Sequence, residues 1–268
     1  MDGGGPIVAT AIHAGNEVRT EVLREMAIRR RHRFLEEDPY TDQLTDVAGT
    51  SLVVHRSRFE VDMNRGRDRA IYRTPNDAWG LNVWRAPLPA AVRQRSLRLY
   101  DRFYTDLFGV LARAGAGGRP FVVLDLHSYN HRRGGPEAAP ADSLLNPEIN
   151  VGTGSLDRER WGALVDRFMA DLRTVDVGGR PLDVRENVRF RGGHLSRWVH
   201  AAFPGQSCCV AVEVKKFFMD EYTGELDEPV WAGVHDALSA TIPGVLDELE
   251  TMRTVRRLRP RRSRAGVA

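Results

Sequence analysis

The stretch "FVVLDLHSYNHRR", residues 121–133, decides how the rest of the chain is read. Phe121, Val122, Val123, Leu124 and Leu126 make a run of strand-forming residues broken only by Asp125, and the run ends abruptly in His127, Ser128, Tyr129 and Asn130. A nearly continuous apolar strand belongs in a sheet covered on both faces. Ligands gather beyond the carboxyl ends of such strands, which is where His127 stands.

Working outward, Ile7–Ile12 reads as a short strand that delivers His13 to a glycine-containing turn, and "TSLVVH", Thr50–His55, reads as another. "CCVAVEVKKFF" supplies a buried strand over Cys208–Val214 with an acid, Glu213, inside it. "RFEVDMNR" alternates Phe59, Val61 and Met63 with polar residues, a period-2 pattern that predicts a further strand. Helices are expected over Thr20–Leu35, Leu97–Ala114, Trp161–Leu172 and Val230–Met252. "EEDPYTDQL" looks like a helix start with Asp38 as N-cap and Pro39 in the first turn. "NVGTGS", residues 150–155, suggests a loop with exposed amides. Helices alternating with apolar strands give an α/β single domain, a mixed, mostly parallel sheet with helices on both faces.

Composition agrees. The chain has 268 residues, 42% hydrophobic and 28% charged, which suits a soluble globular domain with a sizeable core. No apolar run approaches the roughly 20 residues that cross a bilayer, so no membrane partner is expected. The N-terminus lacks a positive segment before its apolar part, so no signal peptide is expected. Cys208 and Cys209 are adjacent and have nothing else to pair with, which predicts a reduced, cytoplasmic setting. Residues 253–268 hold seven arginines and no acid; removing them from a net charge of +3 leaves residues 1–252 at −4. The body, 1–252, is therefore mildly acidic. The stretch 253–268 reads as a solvated, flexible basic tail rather than as a nucleic-acid contact.

Three groups of residues can carry chemistry. His13 and His127 each follow an apolar strand, and two such histidines with a carboxylate fit a mononuclear zinc site, which keeps one position open for water. Asp125 is placed to orient an imidazole. For the carboxylate ligand, Glu17 competes with the "EED" triplet, Glu36–Asp38, on near-equal terms. Glu213 is the second group: burial raises a carboxyl pKa toward neutrality, which suits a general base, although a salt bridge to Lys215 or Lys216 would also account for it. The third is cationic, comprising Arg58, Asn64, Arg65, His194 and Arg197, with Arg132 and Arg133 beside His127. Arginine grips carboxylates bidentately, so a small acidic substrate is expected. No dinucleotide or P-loop spacing is present, and nothing supports a serine or cysteine nucleophile.

"AIHAGNEVR", "EEDPYTD", "SRFEVDMNR", "LDLHSYNHRR", "NPEINVGTG", "RFRGGHLSRW" and "VEVKKFFMDEYTGE" together resemble the N-formylglutamate amidohydrolase family, in that family's order, from Ile7 to Glu225. The resemblance implies a zinc-carboxypeptidase-like fold of the phosphorylase/hydrolase type and a Zn2+ cofactor. It implies His13 and His127 as zinc ligands, Asn64–Arg65 as a substrate-binding pair and Glu213 as catalytic base. Carboxypeptidases place their acidic ligand three residues after the first histidine, whereas Glu17 is four away. The resemblance therefore favours the later acids, and Glu37 over Asp38, because Asp38 is expected to cap a helix. The expected activity is zinc-dependent hydrolysis of an N-acyl acidic amino acid, N-formyl among the acyl groups, or of a similar small amide. The alternatives are a carboxypeptidase or peptide-amidase with a larger substrate, and a non-catalytic binding protein on the same fold.

Overall fold

Six strands in the computed structural model, which describes residues 5–258, build one sheet. In chain order they are β1 (Ile7–Ala11), β2 (Thr50–Val53), β3 (Phe121–Tyr129) and β4 (Ile149–Gly152), followed by β7 (Val184–Glu186) and β8 (Ser207–Lys215). β5 (Asp176–Val177) and β6 (Arg180–Pro181) form a separate two-stranded ribbon. The sheet order is β2-β1-β3-β8-β4-β7. The first four strands are mutually parallel; β4 runs antiparallel to β8, and β7 follows β4 in parallel. The expectation of a mixed, mostly parallel sheet holds.

Strand alternation sorts the side chains between two cores. Val122, Leu124 and Leu126 of β3, with Cys208, Val210 and Val212 of β8, join the cluster formed with α4 (Arg158–Leu172) and α6 (Glu228–Leu258), where Trp161, Phe168 and Trp231 are buried. Phe121, Val123 and Cys209 pack on the other face, against α3 (Ala90–Ala114) and α5 (His194–Ala202), through Leu107, Leu111, Leu195 and Val199. Helices therefore cover both faces. Asp125, His127 and Glu213 continue the α3/α5 face toward the carboxyl ends of β3 and β8, so that face changes from apolar to polar along its length.

Four local expectations are corrected. The helix expected over Thr20–Leu35 is two, α1 (Thr20–Glu25) and α2 (Arg30–Glu36), interrupted where Met26 bridges to Trp84. "RFEVDMNR" forms turns rather than a strand: Glu60 and Asp62 are as buried as Phe59, Val61 and Met63, because their carboxylates have partners inside the protein. Residues 150–152 are a buried stretch of β4, not an open loop. Asp38 starts no helix. Pro39 and left-handed Tyr40 (φ 70°) occupy the corner of a tight turn in which the Thr41 N–H donates to the Asp38 carbonyl. That is the placement of proline and positive φ expected of a type II turn. At the other end α6 runs to Leu258, past the expected boundary at residue 252, and residues 259–268 of the basic segment lie outside the described residues. Among the described residues no helix is long and apolar enough to cross a membrane.

Leu124 lies at the centre of β3 with no exposed surface. Leu124→Ala is expected to destabilise the protein by about 2–5 kcal/mol through lost burial and the residual cavity, read as a lower denaturation midpoint at unchanged m-value.

Candidate metal centre and active site

The turn at Asp38 decides the site. Its backbone N–H donates to the His13 carbonyl at 2.9 Å, which fastens the turn to the end of β1 and aims the Asp38 carboxylate between two imidazoles. Asp38 Oδ2 lies 2.9 Å from His127 Nδ1 and 3.5 Å from His13 Nδ1. The two rings, 114 positions apart in sequence, stand with centroids 4.9 Å apart. All three residues are buried, at 1–2% exposure.

The outward nitrogens also meet acids. His13 Nε2 is 2.8 Å from Asp62 Oδ1, and His127 Nε2 is 3.2 Å from Asp125 Oδ2. Thr10 Oγ1 in turn donates to Asp125 Oδ1. Imidazoles backed by carboxylates, with their other nitrogens converging on a shared point, are how proteins hold transition metals. His13 Nδ1 is buried and has no hydrogen-bond partner, although a buried polar atom costs free energy unless it is satisfied. His13, Asp38 and His127 form the group whose ligand atoms all lie within 4.8 Å of one another among the described residues. Two imidazoles and a carboxylate are a donor set that fits zinc.

Neither Glu17 nor Glu37 belongs to this group. The Glu17 side chain is 62% exposed and sits 3.6 Å from Arg56. Glu37 points the other way from its neighbour, accepts from the Ser57 hydroxyl and faces Arg33. Burial pushes the Glu37 carboxyl up, and the Arg33 guanidinium, itself buried, is pushed down for the same reason. Adjacent residues in an extended turn point in opposite directions, so only one of the pair can face the histidines. Burial opposes ionisation of Asp38, but the hydrogen bond with His127 Nδ1 and the nearby His13 imidazole outweigh it and hold its carboxyl well below the usual range.

Glu213 pairs in register with His127 on the adjacent parallel strand, so the two side chains leave the sheet side by side. Its carboxylate makes no hydrogen bond within the protein among the described residues. Burial raises its pKa to about 7; His127 pulls it down while Asp38 and Asp125 push it up. On the far side of Glu213, Asn150 of β4 stands directly opposite in antiparallel register. Its Oδ1 accepts from the N–H groups of Arg189 and Phe190 and its Nδ2 donates to the Phe190 carbonyl, which clamps that loop beside Glu213.

The cationic residues divide. Asp62, which the sequence reading passed over, is their hub: its Oδ2 receives Tyr72 Oη at 2.6 Å and Arg58 Nη2 at 3.2 Å, with Arg65 Nε at 3.4 Å. Burial opposes its ionisation, but Arg58 and His13 hold its carboxyl well below the usual range. Arg58 spends its remaining nitrogens on Tyr72 Oη and the Glu36 carbonyl. Asn64 Oδ1 accepts from the Leu195 N–H at the start of α5, leaving Nδ2 without a protein partner among the described residues. A Cβ on Gly193 would fall 2.1 Å from Asn64 Oδ1, so glycine is what admits this contact. His194 Nε2 meets Tyr100 Oη at 3.2 Å, and burial lowers its pKa. Arg197 is exposed on α5.

Comparison with known proteins adds the lineage. Residues 5–218 match the family profile described as N-formylglutamate amidohydrolase. The chain belongs to that family. Among solved structures it is similar to an N-formylglutamate amidohydrolase from Ralstonia eutropha JMP134, with a TM-score of 0.71 at 18% identity, covering 93% of this chain and 94% of that one. It is also similar to a gene product of Agrobacterium tumefaciens, with a TM-score of 0.60 at 18% identity over 90% and 92% of the two chains. No curated protein matches the sequence. The stretches "HAGNE", "EEDP", "FEVDMNR" and "LDLHSYN", all inside the matched residues, carry His13, Asp38, Asp62 and His127 from four separate parts of the chain.

Asp62→Ala removes a fully buried carboxylate, leaves the part-buried Arg58 without its partner and is expected to cost about 3–5 kcal/mol of stability. Asp101→Ala, which breaks the exposed pair with Arg67, is expected to cost no more than about 1 kcal/mol in the same denaturation experiment.

Proposed function

We propose that this chain is a zinc-dependent amidohydrolase that cleaves the C–N bond of an N-acyl acidic amino acid, N-formyl among the acyl groups, or of a similar small amide. The observation that carries the reading is the buried His13–Asp38–His127 group with Glu213 beside it, in a chain of the amidohydrolase family. His13 Nδ1, His127 Nδ1 and the Asp38 carboxylate are the atoms assigned to zinc. Zinc held there supplies Lewis acidity toward the amide carbonyl and toward water.

The chain's own groups do the rest. The hydrogen bond to Asp62 orients His13 with its Nδ1 toward the metal position, and Asp125, 3.2 Å from His127 Nε2, stands ready to do the same for His127. The Glu213 carboxylate, close to neutrality in its pKa, takes a proton from the attacking water as the water oxygen bonds to the acyl carbon. The same carboxyl then gives that proton to the leaving nitrogen as the C–N bond breaks, which yields the free acid and the amine. The Nδ2 of Asn64, with Arg65, His194 and the exposed Arg197, is assigned to the substrate's carboxylate and carbonyl oxygens. Arg58, whose nitrogens are already committed, contributes positive charge rather than new bonds.

The test is a panel of N-acyl amino acids, acidic and neutral, assayed for release of the acid with and without a chelator. Acidic N-formyl or N-acyl substrates are expected to turn over, and chelation to abolish turnover until zinc is restored; chelator-resistant turnover would end the metal assignment. Glu213→Gln should lower kcat by at least about a hundredfold while zinc content, read by elemental analysis, stays at the wild-type level.

The pH dependence follows from the same residue. Glu213 acts as the carboxylate, so kcat/KM should rise with pH along a limb that levels off once the group is ionised. Its midpoint is expected at or below about 7, since a bound cation favours the charged form. Activity that falls monotonically from pH 5 to pH 8 would contradict a basic role for Glu213.

A further inference from the structure

β8 ends at Lys215 and Lys216 follows it directly, and the two lysines do different work. Lys216 is 1% exposed, among the largest fully buried side chains of the protein. A buried ammonium is costly unless its protons are all taken up. Here Nζ donates to the Leu35 carbonyl at 2.7 Å and to the Glu37 carbonyl at 2.8 Å, with Asn130 Oδ1 at 3.4 Å. Those two carbonyls flank the segment that turns into Asp38. The backbone N–H of Lys216 meanwhile donates to the Tyr129 carbonyl at the end of β3, two residues beyond His127. One residue thus ties the strand carrying Glu213, the strand carrying His127 and the approach to Asp38.

The geometry points to Lys216 as a positioning residue for the Asp38 carboxylate, one that sets metal affinity without touching the metal. The inference rests on the metal reading of the His13–Asp38–His127 group and extends it. The turn and its approach have other anchors: the Asp38 N–H on the His13 carbonyl, Arg58 on the Glu36 carbonyl, Ser57 on the Glu37 carboxylate and the Tyr40 hydroxyl on the Gly224 carbonyl. Lys216 is the one that donates to the carbonyl of the peptide entering Asp38. Without the ammonium, the carbonyls of Leu35 and Glu37 lose their buried donor, and the segment gains freedom at the point where the carboxylate direction is set. Supporting groups of this kind, one step removed from the metal, are worth about 10–100-fold in metal affinity.

The neighbouring lysine is a built-in control. Lys215 is also buried, at 5% exposure, and also donates to two backbone carbonyls, those of Ala141 and Asn146, but on a segment that carries no member of the metal group. The experiment measures zinc dissociation constants by chelator competition, and the visible spectrum of the cobalt-substituted protein, for wild type, Lys216→Met and Lys215→Met. Lys216→Met is expected to bind zinc about 10–100-fold more weakly and to show an altered cobalt spectrum, whereas Lys215→Met stays within about twofold of wild type with an unchanged spectrum. Lys216→Gln, a milder change that keeps a donor, reads the same quantities where the methionine variant does not fold. Equal zinc affinity in wild type and both Lys216 variants, or equal losses in the two lysine positions, overturns the proposal. Failure of the wild type itself to bind zinc or cobalt overturns the metal reading beneath it, a result separable from either of those.

Discussion

An ionised carboxylate buried between two imidazoles is the constraint on which the rest of this structure depends. Asp38, Asp62, Asp125 and Glu213 bring four acids to one region, and all but Glu213 are at 2% exposure or less. Among the described residues only the guanidinium groups of Arg58 and Arg65 reach Asp62, and none reaches Asp38 or Asp125. Concentrated negative charge around two histidines in a low-dielectric interior is unfavourable alone and favourable around a divalent cation, which becomes the largest local charge. Burial lifts Glu213 toward neutral pH, and the charges of Asp38 and Asp125 add to that shift while His127 opposes it.

The sheet makes that distribution possible. Along β3 and β8 the α4/α6 face stays apolar as far as Leu126 and Val214, and this anchors both strands in a continuous core. The opposite face is apolar only for its first half and then presents Asp125, His127 and Glu213. A strand can carry both programmes because alternate residues never share a face. β4, antiparallel to its neighbour, closes the row with Asn150, which holds the loop at residues 189–190 over the site instead of letting it run into solvent. Chemistry is confined to one edge of one face, and stability is built everywhere else.

The arginines of this site are organised by an acid before they meet any substrate. Asp62 receives Arg58, Tyr72 and the Asn64 N–H while it supports His13. The His13–Asp38–His127 group and the cluster of arginines thus share one carboxylate. Arg58 stacks on Trp79 and Arg65 on Tyr72, with the guanidinium carbons 4.7 and 4.9 Å from the ring centroids, so aromatic rings fix the cations as firmly as the acid does. The fold itself is shared with a solved structure at 18% identity, so it tolerates extensive replacement of the packing.

Much of this was legible in the chain itself. Apolar runs and helical periodicity announced β1, β2, β3, β8, α3, α4 and α6, and a histidine or acid at a strand end announced His13, His127 and Glu213. Those signals are local: they depend on side-chain alternation over a handful of residues. The carboxylate partner was not local. "EDP" suits a helix cap as well as a turn, and the outcome was decided by long-range contacts, the Asp38 N–H on the His13 carbonyl and the Lys216 ammonium on the Leu35 and Glu37 carbonyls. Asp62 was hidden because "FEVDMNR" alternates like a strand, and only its buried partners show why a turn there can bury acids. What the sequence by itself determined was which strands exist and which reactive groups stand at their ends. The tertiary structure alone decided which of two adjacent acids turns inward, because that choice is made by hydrogen bonds between segments that meet only in the folded chain.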